Sequence, residues 1–189
     1  RTDYTVKGQV NEMIGILGGM GPEATRECFD SIIEQTPATR DQDHLPVLVY
    51  NNPQIPDRTE AILSDGEDPL PYLQASAVKL EEGGVDFIVI PCNTAHYFID
   101  RIRDAVNVPI LNMIRLTLEA IPRGSKTGLL ATSGTIETET YQKFNDRGLE
   151  ILTPNETEAS ALTGMTVNNN KTAARAAHVL AKASKAKYI

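Results

Sequence analysis

The sequence predicts an α/β protein: a doubly wound, mostly parallel sheet flanked by helices. Three observations carry the prediction. Short apolar runs alternate with amphipathic segments along most of the 189 residues, and strands alternating with helices of this length call for right-handed βαβ units. One run, VDFIVIP at 85–91, is apolar almost throughout, the pattern of a strand buried on both faces. Three loops of small and polar residues each end an apolar run and lead into a helix, which is where open parallel sheets bind ligands. The class is flavodoxin-like or Rossmann-like.

The elements follow in order. MIGILG at 13–18 reads as a strand ending in glycines, and Pro22 suits an early helical position. In the helix after it, Ala24, Cys28 and Ile32 repeat at i, i+4, with Phe29 and Ile33 beside them. Cys28 on that stripe reads as core packing. LPVLVYN (45–51) is the next strand, followed by a long polar loop from Asn51 to Thr59. Asp68 to Glu82 reads as a helix with Pro69 and Pro71 near its start and Gly83-Gly84 stopping it. After the 85–91 strand, HYFIDRIRDAV (96–106) places Phe98, Ile102 and Val106 (or Ala105) on one helical face. VPILN, MIRLTLEAIP, KTGLLAT and a helix over 135–147 continue the alternation. LEILTP (149–154) is the last clear strand, before a helical tail at 170–186 and a closing KYI that could begin another strand.

Bulk properties narrow the partners. A chain of 189 residues, 41% hydrophobic and 23% charged, is long enough for one α/β domain or two small lobes. A net charge of −7 and a pI near 5.0 argue against a nucleic-acid or anionic-membrane surface. No run is long enough to span a bilayer and no secretory pattern opens the chain. Two cysteines without framework spacing fit free thiols in a reducing cytoplasm. The first residue is Arg1 rather than methionine, which implies a processed, trimmed or partial chain.

The three loops are Gly18-Gly19-Met20-Gly21-Pro22, Cys92-Asn93-Thr94 and Thr132-Ser133-Gly134-Thr135. The free N–H groups of a following helix would favour an anion, so together they could hold a carboxylate or phosphate without net positive charge. The glycine cluster matches neither G-x-G-x-x-G nor a P-loop, and a tight strand-to-helix turn explains it equally well. Cys92 has two readings: a thiolate nucleophile or base with its pKa lowered at a helix start, or a buried structural cysteine. His96 either pairs with Cys92 or serves as a surface or capping residue. Arg58 either forks a carboxylate over the pocket or is a solvated loop arginine. Three histidines with no H-x-x-x-H or C-x-x-C spacing make a metal site improbable.

Four stretches together, IGILGGMGPEAT, NNPQIPDRTEAIL, GVDFIVIPCNTAH and LLATSGTIETETY, resemble the aspartate/glutamate racemase family in its aspartate racemase branch. The resemblance covers roughly residues 12–150. It implies a racemase independent of pyridoxal phosphate and metals, acting on an acidic amino acid such as aspartate. Two cysteines would face the α-carbon from opposite sides, one thiolate removing the proton and the other thiol returning it. Such a site must hold a carbanion-like state with preorganised donors. The resemblance casts Cys92 as catalytic and Met20, Gly21, Asn51, Arg58, Asn93, Thr94, Thr132 and Thr135 as substrate-binding, with Arg58 on a carboxylate. It also implies two α/β lobes with the site between them.

The chain departs from that pattern. No cysteine follows position 92, so the second acid/base has no counterpart, nor does the family's second-lobe lysine. The stretch from LTPNETEASALTG to the end resembles the ribokinase-type sugar kinase family, Asn155-Glu156-Thr157-Glu158 matching its N-x-x-E motif. The expectation is therefore a chimera joined near LEILTP: an extension at 1–11, a racemase-like region at 12–150, and a kinase-like tail at 151–189 that completes or caps the sheet, with the second lobe altered or truncated. Exposed apolar surface would then favour a homodimer. Two other readings stay open: a non-enzymatic α/β scaffold that binds a small anion, and a one-cysteine isomerase or decarboxylase relative.

Overall fold

The fold is that of a computed structural model, which describes residues 12–153 together with Thr166. The expected helical tail at 170–186, the N-x-x-E motif at 155–158, the closing KYI and the 1–11 extension lie outside the described residues. The chain divides after Met113 into two compact units.

Among the described residues, the first unit opens with β1 (Ile14–Gly18), every residue of which is buried. It continues with α1 (Pro22–Gln35), β2 (Val47–Asn51), the short α2 (Arg58–Leu63), α3 (Leu70–Glu82), β3 (Phe87–Val89) and α4 (Ile99–Arg103). The three strands are parallel in the order β2-β1-β3, with Ile14 opposite Val47 and Phe87. Beyond β3 a single parallel bridge joins Ile88 to Ile110. Alternation along β1 sends Gly15 and Leu17 to one face and Ile14, Ile16 and Gly18 to the other. A Cβ on Gly18 would strike the Thr25 side chain, and one on Gly83 would strike Leu48, the partner of Gly15; α1 therefore covers the face of Ile14, Ile16 and Gly18, and α3 the face of Gly15 and Leu17. Leu73, Ala77 and Leu80 of α3, with Leu17, Ile88 and Ile90, form a dry layer. Each large aliphatic side chain buried this way contributes roughly 1.5–3 kcal/mol.

Two expectations change here. The 85–91 run is not buried on both faces: Val85, Ile88 and Ile90 are enclosed, but Phe87 and Val89 are half-buried, because α1 spans only part of its face. The α1 stripe is correspondingly open. Thr25 is the one fully buried residue of this helix, Cys28 is half-buried, and Ile33 is 42% exposed. An apolar groove of about 260 Å³ runs between Phe29, Ile32 and Ile33 on the helix and Leu45 and Val47 beside the edge strand.

The second unit begins within α5 (Met113–Glu119) and continues through β4 (Lys126–Gly128), α6 (Ser133–Glu137), α7 (Thr140–Lys143) and β5 (Glu150–Leu152). β4 and β5 are parallel, with Thr127 opposite Ile151, so the strands among the described residues sort into two sheets. Ile114, Leu118, Ile121, Leu129, Tyr141 and Leu149 make this unit's core. The helix expected over 135–147 is broken in two, because Glu139 adopts the left-handed conformation with φ 51°, which an α-helix cannot contain.

Candidate functional site

Parallel pairing brings the carboxyl ends of β1, β2 and β3 to one edge of the first sheet. The loops holding Met20 and Gly21, Asn51 to Arg58, and Cys92 to Thr94 all leave from that edge, where open parallel sheets bind ligands. The edge is built by close backbone approach. Gly19 has φ 103°, and a Cβ there would collide with the Asn52 main chain; the Asn52 N–H in turn donates to the Gly18 carbonyl at 3.2 Å. Thr25 ties off the turn between β1 and α1. Its hydroxyl accepts the Gly19 N–H at 2.9 Å and donates to the Gly21 carbonyl at 3.1 Å. Met20 is buried beneath this turn and Gly21 is exposed on it. The role of Thr25 was missed in the sequence, where its signal was a threonine in the first turn after a glycine-rich bend.

Cys92 is a free, half-buried thiol just past β3. Its N–H donates to the Ile90 carbonyl at 2.8 Å, turning the chain off the strand. The expected α-helix does not begin there. Thr94–Phe98 form a 3-10 turn and the α-helix starts at Ile99, so Cys92 does not sit at an α-helix start. Asn93 is exposed and Thr94 buried. Cys28, in contrast, lies within α1, and burial pushes its thiol pKa up, away from thiolate formation.

His96 is enclosed at 1% exposure. Its Nδ1 lies 2.8 Å from the Cys92 carbonyl oxygen, and its Nε2 accepts the Met113 N–H at 3.1 Å. It is thus neither a surface residue nor a partner of the Cys92 thiol; it bonds the main chain of Cys92. Burial pushes its pKa down to about 4, the hydrogen bond to Cys92 opposing and the Arg103 charge reinforcing the shift.

Arg58 is not a solvated loop arginine. It opens α2, a helix capped by Asp57, whose carboxylate accepts the Glu60 N–H at 2.8 Å. The D-x-x-E spacing of Asp57 and Glu60 is a helix-start signal, passed over in the sequence because Pro53 and Pro56 crowd the stretch before it. The Arg58 guanidinium folds back so that Nη1 donates to the carbonyls of Ile55 and Pro56, at 3.3 and 2.9 Å. Its Nε is buried with no hydrogen-bond partner among the described residues. α2 lies beside the 3-10 turn that follows Cys92, which places Arg58 on the cysteine's side of the sheet edge. A guanidinium already anchored on one branch has little rotamer entropy left to lose on binding a carboxylate.

Thr132 and Thr135 belong to the second unit. Thr132 precedes α6 and is exposed, Thr135 is fully enclosed, and their hydroxyls are 3.2 Å apart. Among the described residues no group of three or more His, Cys, Asp or Glu side chains is placed to hold a metal ion. No described helix is long and apolar enough to cross a membrane.

Comparison with known proteins bears on this arrangement. A curated relative, the broad specificity amino-acid racemase RacX of Bacillus subtilis, is 36% identical over 148 residues, spanning 74% of this chain and 63% of RacX. Glutamate racemase of Aquifex pyrophilus is 36% identical over 81 residues, 41% of this chain and 32% of that protein. The chain therefore spans less than two thirds of the length of either relative. Among solved structures, Picrophilus torridus aspartate racemase superimposes with a TM-score of 0.72 at 29% identity, covering 93% of this chain and 77% of that one. An aspartate racemase homologue from Pyrococcus horikoshii OT3 superimposes with a TM-score of 0.65 at 27% identity, covering 80% and 68%. The Asp/Glu/Hydantoin racemase model matches residues 17–188. That match runs through the stretch read as kinase-like and gives the chimera no support. With a single family model running from the first strand almost to the last residue, this chain belongs to the Asp/Glu/Hydantoin racemase family.

Proposed function

We propose that the chain carries the proton-abstracting half of a cofactor-independent amino-acid racemase of the aspartate/glutamate type. The observation that carries this reading is Cys92: a free, half-buried thiol at the carboxyl edge of a parallel sheet, beside the loops of Gly21, Asn51 and Arg58. In the proposed step the Cys92 thiolate takes the α-proton of an acidic amino acid. Arg58 binds a carboxylate through the guanidinium edge that the loop carbonyls leave open. Met20, Gly21, Asn51, Asn93 and Thr94 shape and donate to the same pocket. Thr132 and Thr135 are the second unit's candidates for a substrate carboxylate or amino group.

Cys28, the only other cysteine, lies within α1 with its pKa raised by burial, so it is not proposed as the second acid/base. The chain then acts from one face of the α-carbon. The expected activity is exchange of the α-proton with retention of chirality, and little racemisation. Proton NMR of L-aspartate in heavy water reads both outcomes: loss of the α-proton signal without D-aspartate supports the reading, and rapid appearance of D-aspartate overturns its one-sidedness. A protein that binds aspartate in calorimetry without any exchange would instead be an anion-binding scaffold.

The same proposal includes a homodimer in a reducing, cytoplasmic setting. The open groove beside edge strand β2 is apolar surface that a second copy would cover, and two free cysteines fit that compartment. A monomeric sedimentation coefficient at micromolar concentration would contradict the dimer.

A further inference from the structure

We propose that His96 is a positioning residue for Cys92: held as its Nδ1–H tautomer, the imidazole links the Cys92 carbonyl to the Met113 amide and so fixes the main chain that presents the thiol. The inference rests on the reading of Cys92 as the proton-abstracting group.

The geometry determines the tautomer. A carbonyl oxygen only accepts, so the Nδ1 that lies 2.8 Å from the Cys92 oxygen carries the proton. A peptide N–H only donates, so the Nε2 that lies 3.1 Å from the Met113 nitrogen carries a lone pair. One protonation state satisfies both partners, the neutral ring protonated at Nδ1. Adding a second proton would set Nε2–H against the Met113 N–H, two donors face to face. The ring has nowhere else to go, since His96 is 1% exposed, between enclosed Ala95 and Phe98 on its own turn.

This link joins segments that the sheet alone joins weakly. Beyond β3 the pairing to the chain at 109–111 consists of one bridge, with the Ile88 N–H donating to Pro109 and the Leu111 N–H to Ile88, each at 2.9 Å. Past Ile90 no ladder is left, and the chain turns at Cys92 into a 3-10 turn. The imidazole carries the connection onward from the end of the ladder, spanning 17 residues between His96 and Met113. It also satisfies a helix-start N–H of α5 that has no intrahelical acceptor. Both ring nitrogens are thereby occupied, so neither can receive the thiol proton. His96 acts on Cys92 through the backbone and not as its base.

Two variants separate the two bonds. Asparagine reaches about where Nδ1 sits and can still donate to the Cys92 carbonyl; glutamine extends towards Nε2 and Met113 and leaves that carbonyl without its donor. The readout is the alkylation rate of Cys92 by iodoacetamide, followed by mass spectrometry with Cys28 as the internal reference, alongside aspartate α-proton exchange. In His96→Gln, Cys92 alkylation should rise about fivefold relative to Cys28, the population change expected from losing one neutral hydrogen bond. Exchange kcat should fall by about the same factor with KM unchanged. His96→Asn should stay within about twofold of wild type. Equal effects of the two variants, or no change in either, would overturn the proposal. Altered alkylation in a protein that shows no exchange at all would uphold the positioning role and refute the racemase reading instead. Should His96→Gln fail to fold, long-range proton–nitrogen NMR of wild-type protein labelled at histidine decides: a proton on Nδ1 is expected, and one on Nε2 overturns the proposal.

Discussion

Thr25 and Gly19 are joined by a hydrogen bond of 2.9 Å, the threonine hydroxyl accepting the glycine N–H while it donates to the Gly21 carbonyl. The bond spans the turn from β1 into α1, and with it one side chain holds both ends of the glycine-rich loop. Thr25→Val keeps the shape and removes both bonds in a fully buried position. It should cost about 1–3 kcal/mol in urea unfolding, and Thr25→Ser should recover most of the loss.

Stability should depend on pH through His96. Its ordinary pKa of 6.5 falls to about 4 in the fold, chiefly through burial, with Arg103 pushing the same way. Between those values the unfolded chain binds the proton and the folded chain does not. The contribution is thus fully present above pH 6.5 and is lost as pH falls towards 4, by at most about 3 kcal/mol. Asp43 titrates lower, held to about 2 first by its hydrogen bond from Arg40; its contribution is lost only below pH 3.8, outside this window. Urea midpoints at pH 7 and pH 4.5 should differ in wild type by an amount that His96→Gln reduces.

Arg58 should discriminate guanidinium from ammonium. Arg58→Lys keeps the charge but not the fork, which bonds the Ile55 and Pro56 carbonyls through Nη1 alone and so leaves its other nitrogens unengaged by those carbonyls. Calorimetry with aspartate should show binding weakened about tenfold, and equal affinity would remove Arg58 from the carboxylate site.

Glu139 holds φ at 51° where α6 gives way to α7. Relief of left-handed strain, about 1–2 kcal/mol for a residue with a Cβ, exceeds the added chain entropy of glycine. Glu139→Gly should therefore raise stability by up to about 1 kcal/mol in thermal unfolding, and a lowered midpoint would contradict this.

How much of this was legible beforehand varied with the range of the forces involved. β1, β2 and α3 were readable because apolar periodicity and the Gly83-Gly84 stop are local signals; Gly84 indeed takes φ 80°. The carboxyl-edge position of Cys92 followed from the same alternation. The half-burial of Phe87 and Val89 was not legible, because it depends on how far α1 reaches across the sheet. Nor was the break at Glu139, since nothing in TIETET marks a left-handed residue. His96 is the clearest case. Its four-residue spacing from Cys92 suggested a thiol–imidazole pair, yet its second partner, Met113, is brought to it only by the tertiary fold.

The central claim is that Cys92, and not Cys28, moves the α-proton. Deuterium exchange into L-aspartate, followed by NMR for wild type, Cys92→Ala and Cys28→Ala at one enzyme concentration, tests it directly. The account predicts that Cys92→Ala abolishes exchange while Cys28→Ala retains it. Exchange that survives in Cys92→Ala and disappears in Cys28→Ala would contradict it.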